Sequence, residues 1–475
     1  MFKKMIKPGL LMVASTTCLS ILPNLPFKLV YAEEPKPSSD ITLSARPNEL
    51  KNEMRENKEP FAFADFTWLN GNSRQTKFPF DSKYITGEFS FDSNYAFDFN
   101  HPNDHTLVGS SNSGRTSEVQ VQHLAFGGDL HYENIRARVM TQFGLYSTMT
   151  PRSDPSVSRG QWDLGNAYRY VTEAYGGYHW DVWNGINLDV GLFMSYLGLC
   201  SYYNYENWVY QMSYVSANTP WFFNGLRLQL FPSDKFKAEV WLINGWQSYG
   251  MFNEMPGIGT QLLWRPNGSI SLASNEYIGK DTLNNTSRIR IHSDNSIQVK
   301  YLDNPKSTLD KGAFSLTLDI GCEVGGGVNC LTGDASNPAQ NFVGIMAYNR
   351  FWFANDSIGL TIGGGAITNP GRYLVLLPPI NGATSASGTP YFTASPGDSF
   401  TAWDSSITFD IMPSQFATLR FEFTHRQASI PYFSGGRGIT PPGGNSGFPG
   451  SAIAGWQPDL QSTENRINIA YMVRL

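Results

Sequence analysis

Beyond about residue 83 the chain alternates apolar and polar positions one for one. Ile186, Leu188, Val190, Leu192 and Met194 alternate with Asn187, Asp189, Gly191, Phe193 and Ser195. Ala417, Leu419, Phe421 and Phe423 alternate with Thr418, Arg420, Glu422 and Thr424, and the run from Ile467 to Leu475 repeats the pattern. Successive side chains of a strand point to opposite faces, so a period of two predicts strands with one apolar and one polar face. Sixteen such segments are predicted: 83–99, 118–132, 135–147, 168–182, 186–197, 220–231, 236–246, 256–265, 269–279, 288–301, 313–321, 342–353, 357–366, 400–411, 416–427 and 464–475.

The connections between these segments alternate in length. Brief turns such as Glu133-Asn134 and Asn184-Gly185 are followed by loops near 100–117, 148–167, 198–218, 247–255, 280–287, 322–341, 367–399 and 428–463. A transmembrane β-barrel has short periplasmic turns and longer external loops, whereas a secreted sandwich has no reason to lengthen the loops at one end. The expectation is an all-β, antiparallel up-and-down transmembrane barrel of about sixteen strands, with short periplasmic turns and long extracellular loops. An even strand count puts both chain ends in the periplasm. Aromatics near segment ends (Tyr95, Phe97 and Phe99; Tyr178 and Trp180; Trp221 and Phe222; Trp241 and Trp246) fit two interfacial girdles, or else an ordinary hydrophobic core. The last two large loops, rich in Gly, Pro and Ser, read as surface-exposed.

The N-terminus gives the compartment. Lys3, Lys4 and Lys7, the apolar run Gly9 to Leu22, and Val30-Tyr31-Ala32 stand in the order of a secretory signal peptide over residues 1–32. Residues 33–82 read as a periplasmic tail that includes a plug or an extra strand near Phe61 to Leu69, and residues 83–475 as the barrel. Export to a bacterial outer membrane follows, with membrane lipid as one partner.

Composition narrows the alternatives. A charged fraction of 16% beside 14% aromatics excludes a coiled coil and a charged disordered chain. A mean hydropathy of −0.29 with no second long apolar run argues against helical membrane spans. Cleavage after Ala32 removes four lysines and takes the formal charge from −5 to −9; with no Lys/Arg run, nucleic acid is excluded as a partner. The seven His show no HExxH or zinc-ligand spacing, and no GxSxG or GxxxxGK[ST] occurs, so neither a metal, a cofactor nor a catalytic residue is expected, and the chain reads as no enzyme. Cys322 and Cys330 bracket a Gly-rich run that could close as a disulfide in an oxidising compartment; free thiols are the equal alternative.

One hairpin is more specific. Asn218 to Trp246 (NTPWFFNGLRLQLFPSDKFKAEVWLINGW) runs as aromatic strand, Pro-Ser-Asp-Lys turn and returning strand, and resembles a segment typical of the OmpL-like β-barrel porin family. EAYGGYHW (173–180), GLFMSYLG (191–198) and GIGTQLLWRP (257–266) are similar to strand ends in such proteins. The resemblance, over most of 61–475, implies an outer-membrane porin of a Gram-negative bacterium: a water-filled channel for small hydrophilic solutes such as ions and sugars. It brings no catalytic residues and no defined substrate. The competing reading is a secreted or surface β-rich protein that binds or acts on glycans, with carboxylates doing acid/base work. A homotrimer is in keeping with sixteen strands.

Taking the polar face as inward, the candidate pore-lining residues are Arg136, Arg138, Arg169, Glu173, Arg227, Glu239, Arg288, Arg290, Asp410, Arg420 and Glu422. With Arg136, Arg138, Arg288 and Arg290 as the main positive groups, a weakly anion-selective or near-neutral channel is expected, unless these charges pair across strands and only stiffen the wall. The loop 199–218 carries Tyr202, Tyr203, Tyr205, Glu206 and Trp208. It either folds inward as a constriction or packs on the rim or a neighbouring subunit.

Overall fold

In the structure, a computed structural model, the period-two segments close on themselves. It describes residues 59–334, 339–371, 373–392 and 399–475; the leader and residues 33–58 of the tail lie outside these. The strands are β1 (Ile85–Asp98), β2 (Glu118–Tyr132), β3 (Ile135–Thr141), β4 (Val171–Trp180), β5 (Ile186–Met194), β6 (Phe222–Ser233), β7 (Phe236–Ile243), β8 (Gly257–Asn267) and β9 (Ile270–Gly279). They continue as β10 (Ile289–Asp303), β11 (Leu309–Val324), β12 (Asn341–Phe353), β13 (Ile358–Asn369), β14 (Phe400–Ser414), β15 (Ala417–Ala428), the two-residue β16 (Phe433–Ser434) and β17 (Leu460–Gln461), and β18 (Thr463–Arg474). All but β16 and β17 form one closed barrel in which each strand pairs with its sequence neighbours. β18 seals it against β1, with Ser90 opposite Arg474 and Asp98 opposite Arg466. The sixteen-strand antiparallel barrel is the architecture the alternation predicts.

The wall inverts the soluble-protein rule. Along β14, Asp404, Ser406, Thr408 and Asp410 point inward and are buried, while Trp403, Ile407, Phe409 and Ile411 point outward and are exposed. Ile345 and Ile362, each half exposed, continue the outer apolar surface on β12 and β13. An outer surface of this kind is stable against hydrocarbon, with every strand's backbone hydrogen bonds satisfied by closure.

Several expectations are corrected. β3 ends at Thr141 rather than 147, because Gly144 turns the chain at φ +91° and Tyr146–Met149 forms one helical turn. Phe61 to Leu69 forms turns, not a strand. Trp221, Phe222, Trp241 and Trp246 are buried inside rather than set in a girdle, since their side chains face the lumen and the loops that fill it. The final loop is not all surface: Tyr432, Phe433 and Ile439 are buried in the largest apolar cluster. Strand length is uneven. β3 has seven residues and β7 eight, whereas β10 has fifteen and β11 sixteen.

Candidate functional site

The connection 195–221 between β5 and β6 folds into the barrel. It carries six Tyr from Tyr196 to Tyr214 but only one charged side chain, Glu206, so its own backbone and hydroxyl groups must find partners on a wet wall. They do so by a simple division of labour. Wall carboxylates accept from the loop's donors: Tyr203 OH donates to Glu173 (2.8 Å), Tyr205 OH to Glu88 (3.1 Å), Tyr210 OH to Asp92 (3.0 Å) and the Tyr214 backbone N–H to Asp404 (2.9 Å). Wall arginines donate to the loop's carbonyls: Arg420 to Asn207 O (2.7 Å) and Arg350 to Trp208 O (3.3 Å). Glu206 pairs with Arg474 at 2.6 Å. The one-turn helix Tyr214–Ala217 packs against β12 to β14. Of the two fates left open for this loop, the lumen is the one observed. Tyr202, Tyr203 and Trp208 are all buried there, and Tyr205 and Glu206 contact the wall beside them.

A second segment, residues 59–77, passes beneath that loop. The Phe61 N–H donates to Asp234 O (2.7 Å) in the β6–β7 turn, and Trp68 Nε1 to Gly268 O (3.0 Å) in the β8–β9 turn. Asn70 and Gln298 exchange two amide hydrogen bonds (2.8 and 3.2 Å), and Asn70 Oδ1 also accepts from the Trp208 N–H (2.9 Å). Gly71 sits at φ +74°, where a Cβ would strike Leu199 O; only glycine lets the two segments approach so closely. The segment leaves along β15, where Arg74 donates to Ala417 O (2.6 Å) and Thr418 Oγ1 (2.9 Å).

The space left open lies on the opposite side. A cavity of about 300 Å³ runs between the loop and the β4–β8 wall, lined by Glu173, Arg227, Gln229, Lys237, Glu239, Trp241 and Gln261, with Tyr196, Cys200 and Tyr202 across from them and Gly71 below. Its charges are held in place. Arg227 pairs with Asp189 (2.8 Å) and lies over Phe193 and Tyr175. Lys237 pairs with Glu239 (2.7 Å), which also accepts from Gln229 (2.7 Å) and Trp241 Nε1 (2.9 Å).

The remaining candidates fall into groups. Arg138 is shared by Glu88 (2.9 Å), Asp129 (2.8 Å) and Glu173 (2.8 Å), and Arg136 pairs with Asp189 (3.2 Å). Arg288 (3.5 Å) and Arg290 (2.9 Å) share Glu323, beside a cavity of about 310 Å³ under the external loops. Three candidates do not line open space. Asp410, Arg420 and Glu422 lie on the half of the wall that the loop covers, and each is at most 3% exposed. Arg169 precedes β4 and donates to Ser147 O, outside the strand that was to carry it. Arg350 and Asp404 were missed, although both stand on the inward parity of their strands and could have been found by it. The 59–77 contacts have no such signal. Cys322 and Cys330 are joined as a disulfide, with their Cα atoms 5.2 Å apart, and Cys200 is a buried free thiol. Among the described residues no His, Cys, Asp and Glu cluster could hold a metal ion.

An apolar outer band, a polar lumen and a loop folded into it define a membrane channel barrel. The chain belongs to the family described as "Putative beta-barrel porin-2, OmpL-like", whose model matches residues 85–454. It is a channel of the bacterial outer membrane. Solved structures of similar shape include the outer membrane channel DcaP of Acinetobacter baumannii (11% identity, TM-score 0.46, covering 86% of this chain and 100% of that one). OmpT of Vibrio cholerae in a trimer form (9%, 0.46, 83% and 100%) and Pseudomonas putida OprB (10%, 0.46, 83% and 94%) are others. No curated protein matches the chain. Family membership and the outward apolar band set aside the secreted glycan-acting reading.

Proposed function

We propose that small hydrophilic solutes, ions first and small sugars second, cross this channel along the β4–β8 side, between that wall and the loop 195–221. The observation that carries the reading is the cavity of about 300 Å³, whose wall carries Arg227 and Lys237 beside Glu173 and Glu239. Two basic and two acidic groups nearly balance, so selectivity is weak, and the excess positive charge expected from Arg136, Arg138, Arg288 and Arg290 is absorbed by their carboxylate partners. Residues 59–77 act as a plug at the periplasmic mouth. The chain is a conduit with no catalytic role. Single-channel recording in planar bilayers tests the route: stepwise conductance with a permeability ratio near one supports it, and silent bilayers from correctly folded protein overturn it.

A homotrimer is the assembly that goes with this barrel. A transmembrane strand takes about 9–11 residues, and the stretch β3 to β7, bounded by β3 with seven and β7 with eight, stands lower against the hydrocarbon than β10 and β11 with fifteen and sixteen. A second and third copy covering that low side would remove the mismatch. A native mass measurement in detergent that gives only monomer would remove the trimer and leave the channel.

A further inference from the structure

We propose that the external vestibule above the loop 195–221 is a binding site for a small organic anion with a ring or other apolar body. This deepens the channel reading by naming a solute class, and rests on it only for the statement that the site lies on the solute's way in.

The vestibule is a cavity of about 460 Å³, walled by residues within 110–111, 149–153, 246–247 and 374–392 and floored by residues within 217–221. That volume suits a ligand of one or two rings. It meets the lumen cavity at Trp221, which lines both. Two guanidinium groups, Arg152 and Arg290, line it, and none of the described residues that line it is Asp or Glu.

The two arginines are not equivalent. Arg290 is committed: it pairs with Glu323 at 2.9 Å and lies over the rings of Trp246 (5.3 Å) and Tyr373 (5.4 Å). Arg152 donates only to carbonyl oxygens of the 370–399 connection, Leu377 O and Ala383 O (3.2 Å). No carboxylate among the described residues pairs with it. A guanidinium has five N–H donors in a planar fork, so these two bonds leave most of the fork unused. Burial draws its pKa down to about 10, and it is still a cation at neutral pH. Arg152 is half-buried, and carrying a partly desolvated charge without a counter-charge is costly unless something else neutralises it. The fork matches a carboxylate in shape as well as sign.

The other walls say what the anion carries. Trp221, Trp246 and Leu374 present ring and aliphatic surface, and a bare inorganic anion gains nothing from them. Gln247, whose Oε1 accepts from the Trp221 N–H (2.8 Å), adds an amide at the edge.

Calorimetric titration of the folded, detergent-solubilised protein tests this without requiring conduction. The probes are sodium benzoate, its neutral isostere benzamide, maltose and sodium chloride. Benzoate is expected to bind at least about tenfold more tightly than benzamide, and Arg152→Gln to remove that difference. Arg152→Lys, which keeps the charge and loses the fork, is expected to fall between them, and it guards against a loop collapse in the glutamine variant. No benzoate binding overturns the proposal. So does equal binding of benzamide, binding of maltose alone, competition by chloride at equal concentration, or benzoate affinity unchanged in both variants. Silent bilayers beside intact benzoate binding would overturn the solute route and leave this site standing.

Discussion

The backbone N–H of Tyr210, at the middle of the loop that crosses the lumen, donates to the Glu422 carboxylate on β15 at 2.5 Å. The next N–H, that of Gln211, donates to the other oxygen at 2.7 Å. One wall residue thus closes two consecutive backbone donors of a segment that has no sheet partner of its own. Hydrogen bonds to a charged group contribute about 1.5–3 kcal/mol each. Glu422→Ala is therefore expected to cost about 3 kcal/mol and to free the loop's centre. Single-channel recordings would show a larger, noisier conductance; an unchanged current would mean that the loop does not depend on this contact.

Asp410 stands between two arginines, Arg350 at 2.8 Å and Arg420 at 2.7 Å, and all three side chains are nearly closed to solvent. Removing the carboxylate leaves two like charges buried together. Asp410→Ala is expected to destabilise the barrel by about 3–5 kcal/mol, the usual cost of breaking a buried pair from one side. The check is the temperature at which the folded band disappears on a semi-native gel. Arg136→Gln, at a pair whose arginine side chain is 30% exposed, should shift that temperature far less.

Selectivity separates the open side of the lumen from the closed one. Lys237→Glu turns the cavity's balance from two basic and two acidic groups to one against three. The reversal potential in a salt gradient is expected to move toward cations, by on the order of a few-fold in permeability ratio at low salt. Arg420→Gln, on the covered half, should move it little in channels that still form. The opposite ranking would place the solute route elsewhere.

The fold was legible because the barrel's wall obeys a local rule. Each strand shows its period of two within its own residues, and β14 and β18 match the alternation nearly residue for residue. The charged groups were legible one at a time for the same reason, Glu173, Arg227 and Glu239 among them. Which of them face water was not legible, because that depends on where a segment without periodicity comes to rest. Asp410 and Glu239 look alike along the chain, yet one lies beneath the loop 195–221 and the other lines the cavity beside it. The ion pairs were half legible. Asp410 and Arg420 are direct cross-strand partners in the β14–β15 hairpin, which its turn predicts, whereas Arg350 reaches the same carboxylate from β12, two strands away.

The segment 59–77 gives the last test, and it separates a plug from a passive tail. Its anchors are spread around the periplasmic end, from the Phe61 N–H at Asp234 O to Gln75 Nε2 at Arg474 O (3.1 Å). Between them the Asn70–Gln298 amide pair is buried and also holds the Trp208 N–H of the loop above. Asn70→Ala keeps that exchange, which runs through the backbone N–H and C=O of residue 70, and removes only the Oδ1 acceptor of the Trp208 N–H. It leaves a buried N–H unpaired, at a cost of about 1–3 kcal/mol. Deleting 59–77 removes every anchor while leaving the strands intact. If the segment narrows the pore, the deletion should raise conductance clearly and Asn70→Ala should produce brief excursions toward that higher level. If it is only a tail, both proteins should conduct like the full chain, because the loop 195–221 would then set the constriction alone.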